Sequence, residues 1–157
     1  MNLTRFHEAQ DGRWAGYVTA LAEMRAGRKS NHWIWYIFPQ LDGLGRSSAA
    51  QSYALRDLDE ACDYLRDPVL RQRYEKIAGA VAEHLSHGAP VVELMGSGID
   101  ASKLVSSATL FRAAANRLAK TDPESEFTSL ARLCDSILER TTAQDLPPCA
   151  FTLERIK

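Results

Sequence analysis

Pro68-Val69-Leu70-Arg71-Gln72-Arg73-Tyr74-Glu75-Lys76-Ile77-Ala78-Gly79-Ala80-Val81-Ala82-Glu83-His84-Leu85 is the stretch that decides the fold class. Leu70, Tyr74, Ile77, Val81 and Leu85 recur at three- and four-residue intervals, so one apolar stripe runs along a helix. Pro68 opens that helix without cost, because its missing N–H has no partner in a first turn. Gly88-Ala89-Pro90 ends it.

The same pattern extends in both directions. Upstream, Leu58, Cys62 and Leu65 form a stripe behind the candidate caps Asp57 and Asp59, and Trp14, Tyr17, Leu21 and Met24 form another that stops at Gly27. His7, Glu8 and Gln10 fall on a short first helix. Downstream, Val91, Val92, Leu94 and Met95 suggest a short helix stopped by Gly96-Ser97-Gly98. Asp100 then looks like the cap of a helix through Leu104, Ala108, Phe111, Ala115 and Leu118. Asp122-Pro123-Glu124 is a start signal for a last helix carrying Phe127, Leu130, Cys134, Ile137 and Leu138. The expectation is an all-α, single-core bundle of six or seven helices over residues 3–140, followed by a loosely ordered tail, 141–157, around Pro147-Pro148.

Composition agrees with one ordinary globular unit. The chain has 157 residues, 45% hydrophobic and 25% charged. No run approaches the roughly 18 apolar residues of a membrane span, and no apolar signal core follows Met1, so a cytoplasmic protein with no membrane partner is expected. Nineteen basic against twenty acidic residues leave a net charge of -1, which argues against a dedicated nucleic-acid surface. Cys62, Cys134 and Cys149 are odd in number and widely spaced, which suggests neither a disulfide framework nor a zinc site. Cys62 and Cys134 lie on apolar stripes, and Cys149 reads as exposed and incidental. His7, His32, His84 and His87 are scattered without metal spacing, so no metal and no cofactor is expected. The composition leaves the oligomeric state open.

Three segments can carry chemistry. The first is Asn31-His32-Trp33-Ile34-Trp35-Tyr36-Ile37-Phe38-Pro39-Gln40, read as a short buried helix from Ser30, with a buried strand as the rival. On a helix His32, Trp35 and Tyr36 share a face, where a histidine beside flat rings can cradle a planar ligand or serve as a core hydrogen-bonding group. The second is Gly43-Leu44-Gly45-Arg46-Ser47-Ser48. Its backbone can form an anion-binding nest with Arg46, Ser47 and Ser48 as donors, or a tight turn capped by Ser47 or Ser48. It lacks the spacing and Lys of a phosphate loop. The third is Asp100-Ala101-Ser102-Lys103-Leu104-Val105-Ser106-Ser107-Ala108-Thr109. Its hydroxyls suit either close helix packing or a polar wall charged by Lys103.

Together these segments resemble the domain-of-unknown-function 1810 family of bacterial proteins. The run from His32 to Leu41, then Gly43-Leu44-Gly45-Arg46-Ser47-Ser48 and Tyr53-Ala54, is similar to its first signature. Lys103-Leu104 with Ser106-Ser107-Ala108-Thr109-Leu110-Phe111 is similar to its second. Arg5-Phe6, Glu8-Ala9-Gln10, Glu60-Ala61, Tyr64-Leu65 and Pro68-Val69-Leu70 extend the likeness over residues 3 to 140. Ala108 stands where the family usually has Met, and Asn31 where it commonly has Ser or Thr. The resemblance implies a compact, mainly helical fold and supplies no established activity. Some members carry the label calpastatin, but nothing in this sequence supports protease inhibition.

The leading expectation is therefore a pocket for a small anionic, phosphorylated or nucleotide-like ligand. Arg46 and Lys103 hold its charge, Gln40, Ser47, Ser48, Ser106 and Ser107 give hydrogen bonds, Trp35 and Tyr36 form walls, and His32 orients the ligand or moves a proton. The rival is a non-catalytic interaction module that uses the aromatic segment 32–40 as its anchor.

Overall fold

The structure, a computed structural model, describes residues 2–123 and 126–157. Among the described residues there are ten helices: α1 (Thr4–Gln10), α2 (Tyr17–Ala26), α3 (Ile34–Ile37), α4 (Ser48–Ser52), α5 (Leu58–Arg66), α6 (Pro68–Ser86), α7 (Val91–Met95), α8 (Gly98–Thr121), α9 (Glu126–Ala143) and α10 (Ala150–Arg155). The expected all-α class stands. The count exceeds six or seven because the single-turn pieces α3, α4 and α7, of four or five residues each, add to the longer helices and because α10 lies in the segment expected to be a loose tail. No described helix is long and apolar enough to cross a membrane.

The 24-residue α8 is the axis of the molecule. Every residue from Leu104 to Phe111 is buried, which fits a helix enclosed by α5, α7, α9 and α10. A helix enclosed on all sides must satisfy its own hydroxyls. Ser107 does so with Tyr74 of α6, Oγ to Oη 3.0 Å, and Thr109 donates to the Val105 carbonyl at 2.7 Å. Aromatic rings fill the space beside it: Phe111 lies 4.5 Å from Tyr74 and 5.1 Å from Tyr64, centroid to centroid. Deleting any of these buried rings would cost about 3–5 kcal/mol.

The predicted helix boundaries hold where a cap chemistry was visible. Asp67 accepts from the N–H groups of Val69 and Leu70 ahead of Pro68, Asp57 accepts from Glu60, and Gly27 closes α2 in the left-handed conformation. Three features differ. Asp100 is not the cap of α8: Ser97 accepts from the Asp100 N–H at 3.1 Å, so the helix starts at Gly98. Trp14 is not on the α2 stripe but in the turn before it, 82% exposed. The tail expected over 141–157 holds the end of α9 and all of α10, because Thr141 and Thr152 are fully buried and the Cys149 N–H is tied to Thr109 Oγ1 at 3.0 Å. Glu124 of the Asp122-Pro123-Glu124 start signal lies outside the described residues.

Two non-helical segments set up the surface at the start of α8. Residues 39–41 lie alongside Leu55, with Leu55 N–H on the Gln40 carbonyl at 2.9 Å and Asp42 N–H on the Leu55 carbonyl at 2.8 Å. The loop 28–33 is gathered on one carboxylate. Glu23 accepts from Ser30 N–H (2.7 Å), Asn31 N–H (3.0 Å), the Asn31 side chain (2.5 Å) and the Trp33 indole (2.9 Å). Burial works against that carboxylate, but these donors hold its pKa at about 2.

Candidate functional site

A broad, open depression of about 660 Å³ lies beside the first two turns of α8. Its helical wall is Ile99, Ser102, Lys103 and Ser106, positions that a helix places on one face because they are three, four and seven apart. Ser97 and Gly98 form the end at the helix start, and Gln40 and Leu44 face them from the 39–45 segment. Gly98 and Ile99 contribute the first two N–H groups of α8, which have no intrahelical acceptor.

The charges around this wall are arranged in a row. Lys29 is only 7% exposed, and its ammonium sits 2.8 Å from Asp100 Oδ2, 2.6 Å from the Asn31 carbonyl and 4.9 Å from the Trp33 ring centre. Asp100 is thereby neutralised. Lys103 approaches the other oxygen of Asp100 only to 3.9 Å and rests 5.4 Å from the Trp35 ring centre. The cluster of two lysines and one aspartate carries one net positive charge, and Lys103 is the member facing the depression.

Gln40 is the other informative side chain. It is 8% exposed, lines the depression, and among the described residues its side-chain amide has no hydrogen-bond partner. Its backbone carbonyl accepts from the Leu55 N–H. A polar side chain buried to this degree is ordinarily paired.

The sequence-expected residues separate into three groups. Gln40, Lys103 and Ser106 line the depression. His32 is exposed and lines a separate notch of about 190 Å³ with Asn31, Lys29 and Asp100, which adjoins the depression at Ser97. Arg46, Ser47 and Ser48 are exposed and do not line the depression; Ser47 caps α4 through Ala50 N–H at 3.1 Å, and the Arg46 carbonyl accepts from Gln51. Two residues have moved into other roles. Ser107 faces the core with Tyr74 instead of the depression, and Tyr36 donates to the Ala15 carbonyl at 2.6 Å beside the Tyr53 ring. Tyr36 and Trp35 share no wall because α3 is a single turn that turns them apart. Trp35 packs beside Lys103, with its indole N–H buried and without a partner.

Trp33, Ile34, Ile37 and Phe38 are buried in the core, whereas Trp35 and Tyr36 are half-buried. Ser102 and Ile99 were not singled out as ligand contacts from the sequence, although their spacing from Lys103 and Ser106 is the helical one. Cys149, expected to be exposed, is half-buried at the start of α10, with its N–H on Thr109 Oγ1 at 3.0 Å. Among the described residues no three His, Cys, Asp or Glu side chains gather to hold a metal ion.

Comparison with known proteins follows the same lines. The family model described as "Protein of unknown function (DUF1810)" matches residues 1–146. The chain is similar to the conserved hypothetical protein Rv1873 of Mycobacterium tuberculosis, known from a crystal structure. The two are 31% identical with a TM-score of 0.79, covering 98% of this chain and 95% of that one. Comparison with curated proteins finds no match.

Proposed function

The chain belongs to the DUF1810 family, and we propose that it binds a small anionic ligand, of phosphorylated or nucleotide-like chemistry, in the depression beside α8. The observation that carries this reading is Gln40: it lines the depression, and among the described residues its side-chain amide makes no hydrogen bond and is left open to the cavity. A ligand supplies the missing acceptor. Further donors line the same depression. Lys103 brings the charge, Ser102 a hydroxyl, and the first N–H groups of α8 the partial positive charge of a helix start. Lys29 matters through Asp100, because it removes the carboxylate that would otherwise compete with the ligand for Lys103.

Leu44 and Ile99 give the opposite character. Ile99 is 71% exposed at the edge of the site. An apolar edge beside a cationic floor suits an organic phosphate better than inorganic phosphate. His32, beyond Ser97, is reached by a ligand long enough to cross that rim, and there it is the group suited to accept or donate a proton.

The test is a thermal-shift panel of inorganic phosphate, nucleotides and sugar phosphates on the wild type, Lys103→Ala, Gln40→Leu and Ser107→Ala. A ligand at about 100 times its Kd adds ~2.7 kcal/mol of stability, roughly 5–10 °C in a chain of this length. The increment should vanish in the first two variants and persist in Ser107→Ala, whose hydroxyl lies in the core. A panel without a hit, or a hit that Lys103→Ala retains, overturns the reading.

A further inference from the structure

α2 is apolar on both of its faces. Ala20, Leu21 and Met24 are buried on the side that packs against α6. Val18, Ala22 and Ala26 recur every four residues on the opposite side, and all three are exposed, Val18 to 81%. Trp14 stands four residues before Val18 and is 82% exposed. Its carbonyl accepts from the Thr19 hydroxyl at 2.9 Å, which ties it to the first turn of α2. A helix on the surface of a globular protein ordinarily turns charged and polar residues outward. The outer face of α9 does so with Arg132, Asp135, Glu139 and Arg140. That of α2 leaves a tryptophan, a valine and two alanines uncovered.

The charge at this face is of one sign. Arg13 lies beside Trp14, its guanidinium carbon 5.8 Å from the ring centre. Arg25 is exposed and follows Val18 and Ala22 on the same side of the helix, at four and then three residues. Neither forms an ion pair among the described residues, whereas Arg71, Arg73, Arg112 and Arg117 each lie against a carboxylate. The acids near them in sequence are committed elsewhere. Glu23 accepts its four bonds from Ser30, Asn31 and Trp33, and Asp11 pairs with Arg73 at 2.9 Å. Past the end of α2, Arg28 lines a hollow of about 410 Å³ together with Val92 and Glu93. Its charge is shared with that acid, so the cationic character of the face rests on Arg13 and Arg25.

We propose that the outer face of α2, together with Trp14, is a docking surface for another protein, and that the segment it takes is an acidic amphipathic helix. The form of the face argues for a helix. Positions 18, 22 and 26 make a four-residue ridge of the kind that interdigitates between helices, and alanine at two of them lets a second axis come close. Trp14 is the anchor at one end, since tryptophan and arginine are the side chains that most often dominate an interface. The charge argues for an acidic partner, because carboxylates on the incoming helix would meet two arginines that have none of their own. A second copy of this chain, related by a two-fold axis, would set arginines against arginines. A lipid surface would gain little from Ala22 and Ala26, where interfacial helices carry Trp, Phe and Leu. None of these residues lines the depression beside α8, so the inference stands apart from the anion site.

The experiment selects displayed random peptides of about 16 residues, roughly the helix length that runs along α2 and past Trp14. Selection is on the full-length protein, with counter-selection on Trp14→Ala and on the double variant Arg13→Glu, Arg25→Glu. Both variants should melt within about two degrees of the wild type, because exposed side chains of this kind change stability little. Sequences kept by the wild type and lost on both variants should be net negative, with apolar residues at three- and four-residue intervals. The strongest of them, synthesised, should bind Trp14→Ala at least about tenfold more weakly and Lys103→Ala as tightly as the wild type. Raising the salt concentration should weaken it. Selection that yields no sequence lost on Trp14→Ala, or sequences without net negative charge, overturns the proposal. Binding to phosphatidylserine vesicles that Trp14→Ala abolishes would give the face to a membrane and overturn it as well. So would a dimer in sedimentation velocity that Trp14→Ala dissolves, which would give the face to a second copy.

Discussion

Replacing Glu23 with Gln tests how the loop 28–33 is held, and through it the charge row at the site. Four donors converge on the carboxylate, and the buried Trp33 indole is one of them. The amide oxygen of Gln can accept from one or two of them, but its NH₂ faces donors and must turn away. Leaving a buried donor unpaired costs about 1–3 kcal/mol. The pH dependence is worked from the carboxyl pKa of about 2 against an ordinary 4.5. A depressed carboxyl stabilises the fold at every pH above its unfolded value and loses that contribution as pH falls through the interval from 4.5 to about 2. The full linkage would be about 3.4 kcal/mol at 1.36 kcal/mol per unit, but Glu23 is only half-buried, and solvent screening reduces it to roughly 1–2 kcal/mol. Denaturant titration of wild type and Glu23→Gln at neutral pH should show the variant less stable by about 2–3 kcal/mol, roughly 4–10 °C in melting temperature. The gap should narrow by ~1–2 kcal/mol on acidification below the pKa, because other carboxylates titrate alike in both proteins. A gap that is absent at neutral pH, or that does not narrow in acid, refutes the idea that this carboxylate organises the loop.

Two further predictions follow from packing. Ser107→Ala strands the buried Tyr74 hydroxyl and should lower stability by about 1–3 kcal/mol, whereas adding Tyr74→Phe should recover part of the loss. Additive losses in that double-mutant cycle would show that the 3.0 Å contact carries no coupling. Gly96→Ala places a side chain at φ +84°, with its Cβ 2.9 Å from the Lys29 carbonyl, and should cost about 1–3 kcal/mol. Because it pushes on Lys29 it should also weaken ligand binding, and a variant that melts within a degree of wild type would contradict the reading.

Much of the helical frame was legible because it rests on local chemistry. Asp67-Pro68, Asp57 and Gly27 announce their boundaries through groups that any helix end must satisfy. The start of α8 misled because two caps stand three residues apart. Ser97 and Asp100 both have cap chemistry, and the choice falls to Ser97 because Asp100 is drawn into an ion pair with Lys29, seventy-one residues earlier in the chain. That pair is invisible to periodicity, as is the Glu23 clamp. The site was legible in its residue types but not in its division. Ser106 and Ser107 are adjacent in sequence, yet a 100° step on an enclosed helix sends one to the depression and the other to Tyr74. The order of the tail was missed because Pro147-Pro148 reads as disorder, while the bond that ties it down, Cys149 N–H to Thr109 Oγ1, joins residues 40 apart in the chain.

The glycine-rich loop and the α8 wall were equally plausible anion sites by composition, and the hydrogen-bond accounting separates them. In the loop, Gly43 makes a left-handed turn against the Phe151 ring, Ser47 spends its hydroxyl on Ala50, and Gly45 packs onto Ala50 beside Gln40. Its geometry is explained by structure alone, and no buried polar group there lacks a partner. Along the depression the opposite holds. The Gln40 amide makes no hydrogen bond among the described residues, Lys103 is loosely paired beside an Asp100 already neutralised by Lys29, and Gly98 and Ile99 at the start of α8 line the cavity. The loop's contacts are those of a packed turn, and the proposed recognition chemistry therefore rests on the wall of α8.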